Sequence, residues 1–158
     1  MANKILDLFQ DSTAFTITLA SLATSTVGVA RQSDMIDNST GREQLARIWC
    51  KITQGTSPTS AKTVSIHLLA GDAHGTPHRT DGAGASDASI TLINSQIIGI
   101  MRNKGSGAAT GDIVYGEFLI RIAAPSWGIA ITHDTGVNLN STGGNHWARY
   151  SYLSPEVQ

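Results

Sequence analysis

His133-Asp134 sets a base beside an acid, the two partners a serine nucleophile needs. The pair sits in a stretch that reads as extended chain. Neighbours on a strand point to opposite faces, so the two cannot form a hydrogen-bonded relay. No G-x-S-x-G elbow accompanies them. Cys50 falls in the register of Ala46, Ile48 and Ile52, which predicts a buried, inert thiol rather than a nucleophile. His74 and His78 are four apart with Asp72 before them, and a helix would align them for a metal. Gly75 and Pro77 forbid that helix, and no third ligand stands at a fixed spacing. Glu43, Glu117 and Glu156 are the only glutamates, and Glu117 lies mid-strand, away from the expected core face. Nothing favours the paired carboxylates of a glycosidase. Gly105-Ser106-Gly107 and Gly143-Gly144 lack the order of a phosphate loop and read as turns. No catalytic residue, no metal and no cofactor is expected.

The elements that would hold these residues are strands. The chain has 158 residues, one domain's worth, and only 15% are charged. Gly, Ser and Thr number 16, 16 and 17, close to a third of the chain, an uncharged polarity suited to strands and turns. Two-residue alternation marks Phe15-Ile17-Leu19, then Leu45 to Thr53, then Val64 to Ala70. It returns in Ile113 to Ile122, in Trp127-Ile129-Ile131 and in His146 to Leu153. Seven to nine short strands with turns between them predict an all-β, single-domain sandwich of jelly-roll type over residues 14–158. Gly71 to Ser89 has no period and reads as a long loop.

Residues 1–13 read as an N-terminal arm. Ile5, Leu8 and Phe9 stand at i, i+3 and i+4, one apolar face over two helical turns, too short to be stable unless docked. No secretory leader is expected, since no apolar run follows Lys4 and Asp7. A formal net charge of −1 argues against nucleic acid or an anionic membrane as partner. The local exception is Arg42, Arg47 and Lys51 on one strand face around Trp49, a pattern shared by single-strand binders and by subunit contacts. A single cysteine excludes an intrachain disulfide.

The most distinctive block runs from Trp127 to His146, WGIAITHDTGVNLNSTGGNH. It resembles a run that closes small virion structural proteins of tailed bacteriophages. Arg31-Gln32-Ser33 and Gly55-Thr56-Ser57-Pro58-Thr59 are similar to two further pieces of that family. The resemblance covers about Ala14 to the end, with Gly71 to Ser89 poorly matched. It implies a non-enzymatic head decoration or cement protein of β-sandwich, jelly-roll type. Such a protein would be a homotrimer bound to the major capsid protein on the capsid exterior, assembled in the host cytoplasm. Ile5, Leu8 and Phe9 would then be capsid contacts. The same composition suits a different class, a tail-fibre or receptor- or glycan-binding module, with Trp49, Trp127 or Trp147 as an exposed platform. A small hydrolase would instead need a deep pocket joining His133 or His146 to a carboxylate.

Overall fold

The structure is a computed structural model that describes residues 5–72 and 78–157, with side chains over 10–72 and 78–154. Its strands are β1 (Ile5–Phe9), β2 (Thr13–Ala14), β3 (Val29–Gln32), β4 (Ile36–Asp37), β5 (Leu45–Thr53) and β6 (Thr63–Gly71). They continue as β7 (Ala88–Thr91), β8 (Gln96–Arg102), β9 (Ile113–Arg121), β10 (Ser126–His133) and β11 (Trp147–Val157). Helix among the described residues is limited to two three-residue 3-10 turns, Thr80–Gly82 and Gly143–Asn145.

One sheet runs β1-β11-β5-β9, with β2 also on β11; the other runs β7-β3-β10-β6-β8, with β4 on β10. All pairings are antiparallel. Arg149 of β11 faces Ala14 on one flank and Trp49 on the other, so β2 and β5 lie on opposite sides of β11. From β2 through β3, β5, β6, β8, β9 and β10 to β11, every step except β6 to β8 crosses between the sheets. The orders that result, β2-β11-β5-β9 facing β3-β10-β6-β8, are those of a jelly roll. The expected all-β, jelly-roll sandwich is therefore what the chain forms.

The core lies between the sheets and follows the alternation. Ala46, Ile48, Cys50 and Ile52 of β5 are fully buried, whereas Arg47, Trp49 and Lys51 between them are half-exposed. Val64 and Ile66 of β6 and Ile129 and Ile131 of β10 meet them from the facing sheet. Trp127 anchors one end of this core. Its ring meets Phe15 edge-on at 5.5 Å and Tyr150 at 5.2 Å, and its Nε1 donates to the Tyr152 hydroxyl at 3.3 Å. Each fully buried aliphatic side chain contributes about 1.5–3 kcal/mol. The sheets draw together at the β8–β9 side, where a Cβ on Gly99 would lie 2.3 Å from the Phe118 ring.

Three segments depart from the sequence reading. Residues 5–9 are not helical: they form β1, paired with β11 from Ile5↔Val157 to Phe9↔Leu153. A long strand partner outweighs the weak propensity of a two-turn helix. The side chains of Ile5, Leu8 and Phe9 lie outside the described residues. Residues 15–20 keep the predicted burial, with Phe15 and Leu19 in the core, but only Thr13–Ala14 pairs as a strand. The segment bridges the sheets instead: Phe15 N donates to Ala148 O of one, and Asp34 N, beyond β3 of the other, donates to Thr16 O.

The third departure is the stretch read as an irregular loop, whose later part is ordered. Asp81 accepts the N–H groups of Ile93, Asn94 and Ser95. Buried Gln32 donates to Gly84 O and Ser86 O and accepts from Gly84 N. Arg31 pairs with Asp87. These bonds lay residues 79–87 over the outer face of the second sheet, where Ala83 closes a small core with Ala30, Leu69 and Ala130, and lead into β7, which adds to that sheet's edge on β3.

Candidate functional site

The residues with catalytic potential are used structurally. His133 is 2% exposed. Its Nε2 lies 2.9 Å from Leu22 O, which can only accept, so Nε2 carries a proton; Nδ1 lies 2.9 Å from Thr135 Oγ1. Burial holds its pKa below the usual histidine range. Asp134 turns away, accepting Thr63 N at 2.7 Å and pairing with Lys62 at 3.5 Å. The two side chains do not meet. His146 accepts Thr53 N at Nδ1 (3.3 Å) and donates from Nε2 to Asn140 O (2.8 Å), a neutral ring, also lowered by burial. Burial pushes the Cys50 thiol up to about 12. His78 lies 3.3 Å from Asp72, and His74 falls outside the described residues. Among the described residues, no three potential ligands gather to hold a metal ion.

The block from Trp127 to His146 supplies β10 and the loop into β11. Asn140 Oδ1 accepts Thr142 N and Asn145 Nδ2. Asn140 N donates to Thr53 O, and its own carbonyl accepts Ser21 N. Leu139 is buried and donates from its backbone to Leu22 O. This loop therefore ties residues 21–22 and the end of β5 to one end of the sandwich. Asn140 caps a backbone N–H two residues on, as its type predicts, and is held in place by Asn145.

The surface best suited to a partner is the outer face of the first sheet. Register sets Lys51 between Tyr115 and Trp147, and Trp49 between Glu117 and Arg149. The Tyr115 and Trp147 rings lean together at 6.5 Å, and Arg149 lies 6.0 Å from the Trp147 ring. Arg47 pairs with Glu117 at 3.3 Å. Tyr115 is 64% exposed and Leu119, on the same face, 59%. Around the β9 edge Leu119 shares a concavity with Ile97 of β8, which is more than half exposed. Trp, Tyr and Arg in a semi-exposed cluster are the side chains that dominate protein contacts.

Sequence alone places Arg47, Trp49 and Lys51 on this face, and the structure agrees. Arg42 does not join them; it lies in the turn before β5, in a left-handed conformation. Trp127 is core and cannot be a platform. Trp147, a platform candidate in the sequence, is half-exposed on this face beside Lys51; Tyr115, Leu119 and Arg149 were not expected there. Their outward alternation was visible, but which strands flank β5 was not. Compared with protein families, curated proteins and solved structures, the chain matches none.

Proposed function

We propose that this chain is a non-enzymatic virion structural protein, a phage head decoration or cement protein that binds the major capsid protein and stabilises the shell. The observation that carries the reading is the outer face of the first sheet, with Trp49, Tyr115, Leu119 and Trp147 interleaved with Arg47, Lys51 and Arg149. A flat, rigid sheet with aromatic anchors and a basic rim suits a broad docking contact. Such contacts bury about 800 Å² per partner. The resemblance of the run from Trp127 to His146 to phage virion proteins supports the major capsid protein as the partner and the capsid exterior as the place.

Co-sedimentation with undecorated capsid shells tests the reading. Wild type pellets with shells, and the pair Trp49→Ala with Tyr115→Ala remains in the supernatant while keeping its circular dichroism spectrum. Failure of the wild type to pellet, or full binding by the double variant, refutes it. Light scattering should give three times 16.6 kDa if the protein is a trimer. Ile5, Leu8 and Phe9 are the proposed arm contacts. Removing residues 1–12 leaves the eight jelly-roll strands and should weaken shell binding; unchanged binding removes the arm from the proposal.

The Tyr115–Trp147 pair favours a second reading, a glycan-binding tail module, because adjacent aromatic rings can stack on sugar. A glycan array with saturable hits that Trp147→Ala abolishes would support that reading over the first.

A further inference from the structure

A second feature lies at the end of the sandwich opposite the Asn-rich loop. The turn before β5, the β9–β10 connection and the end of β11 enclose two adjoining concavities of about 470 and 510 Å³. Both are lined by Arg42, Glu43, Gln44 and Arg121. We propose that this cleft binds a small organic oxyanion, a carboxylate or a phosphate on a short apolar body, held between Arg42 and Arg121.

Charge supports this first. Among the described residues neither guanidinium has an ion pair or side-chain hydrogen bond; Lys51, Arg102 and Arg149 are also without an ion pair, but only Arg42 and Arg121 line one concavity together. Two guanidiniums facing one cleft repel each other, and together they offer ten N–H donors. Planar forks of this kind match carboxylate and phosphate oxygens. Glu43 also lines the cleft, where it is held by hydrogen bonds rather than by either arginine. Its Oε2 accepts from Ser154 Oγ at 2.9 Å and its Oε1 from Gln10 Nε2 at 3.5 Å. Among the described residues the three ionisable side chains of the cleft leave a formal charge of +1.

Backbone geometry adds an independent argument. Arg42 has φ +49°, a left-handed conformation that L side chains disfavour and glycine adopts freely. Ser21, Ser57, Ala61 and Asp81 share such a φ away from this cleft, and strain of this kind persists where surroundings fix it. Here Asn38, 5% exposed, does the fixing. Its Oδ1 accepts Glu43 N, its Nδ2 donates to Glu43 O and Ala124 O, and its carbonyl accepts Arg42 N. The turn is thereby bolted to the β9–β10 connection, with Arg42 presented to the cleft. Ala123, Ala124 and Pro125 give it a small apolar wall for the ligand's body.

The test titrates the full chain at low salt with inorganic phosphate, phenyl phosphate and benzoate, read by calorimetry and backbone amide shifts. We expect saturable binding with Kd about 1 mM or tighter for at least one aromatic probe. Shifts should concentrate at residues 38–44 and 121–125. Phenyl phosphate binding more tightly than benzoate assigns a phosphoryl ligand; the reverse order assigns a carboxylate. Arg121→Gln and Arg42→Gly should each weaken binding at least tenfold. Arg42→Gly should also melt no lower than wild type, because it relieves the strained turn, which separates loss of the ligand contact from loss of fold. No saturable binding by any probe, or wild-type affinity in both variants, overturns the proposal.

Discussion

Replacing Gly55 by alanine should be among the most damaging single-methyl changes in this protein. Gly55 follows β5 and passes directly over the Asn-rich loop. A Cβ there would lie 1.9 Å from Asn138 O and 3.1 Å from its carbonyl carbon, both backbone atoms. Close-packed interiors cannot absorb such an overlap, so the loop must retreat by about 1 Å. Two backbone bonds hold the loop just beyond Asn138, Asn140 N to Thr53 O at the end of β5 at 3.2 Å and Leu139 N to Leu22 O at 2.9 Å. A retreat of that size takes both beyond hydrogen-bonding distance, at about 1 kcal/mol each. It also lifts Leu139, 2% exposed, partly out of the core, adding about 1–2 kcal/mol. The total is about 3–4 kcal/mol, a large share of the 5–15 kcal/mol typical of a domain. Urea denaturation followed by tryptophan fluorescence measures it. Gly143→Ala is the control, since nothing lies within 4 Å of a Cβ at that position of the same loop. That variant should stay within about 0.5 kcal/mol of wild type. A Gly55→Ala protein as stable as wild type, or a Gly143→Ala protein equally damaged, would refute the reasoning.

Acid should weaken the fold through its histidines. Burial lowers the pKa values of His133, His146 and the less buried His67, so the unfolded chain takes up protons first as pH falls. The stability they contribute is full above about pH 6.5 and is lost as pH drops through the folded values, by up to about 1.4 kcal/mol per pH unit for each fully linked group. Urea midpoints that do not change between pH 7.5 and 5 would contradict this. Gln54 is fully buried, and neither amide atom has a hydrogen-bond partner among the described residues. Gln54→Met should raise stability by about 1 kcal/mol in the same urea assay; a loss would show that the amide is bonded after all. Cys50, buried with its thiol pushed up to about 12, should react with a disulfide reagent at pH 8 only as fast as the protein unfolds. Rapid labelling of the folded protein would disprove that burial.

β5 was readable to its ends, because nine residues alternate cleanly and a central strand needs nothing else to declare its faces. β9 and β10 were readable for the same reason. The segment from Ile5 to Phe9 was not: four of its five residues are apolar, which fits either period, and its partner β11 is remote in sequence. Residues 79–87 carry no period because single side chains organise them, Asp81 and Gln32 on backbone groups and Arg31 on Asp87. The docking face was half legible. Arg47, Trp49 and Lys51 follow from alternation alone, but Tyr115 and Trp147 join them only through non-local register. The Arg42–Arg121 cleft was illegible, since it is assembled from three distant connections at one end of the sandwich.

The order of assembly follows from the place of β11. This strand alone joins β1, β2 and β5, yet it comes after every other strand in the chain. While the polypeptide is being made, β5 has β9 on one flank and nothing on the other, and the two earliest strands have nowhere to zip. The first sheet can close only when its final strand emerges from the ribosome. Folding should therefore be late and all-or-none, on the slow millisecond-to-second scale of sheet proteins rich in distant pairings. Until then the nascent chain leaves an open, sticky flank, an opportunity for chaperones and a hazard when many copies are made at once.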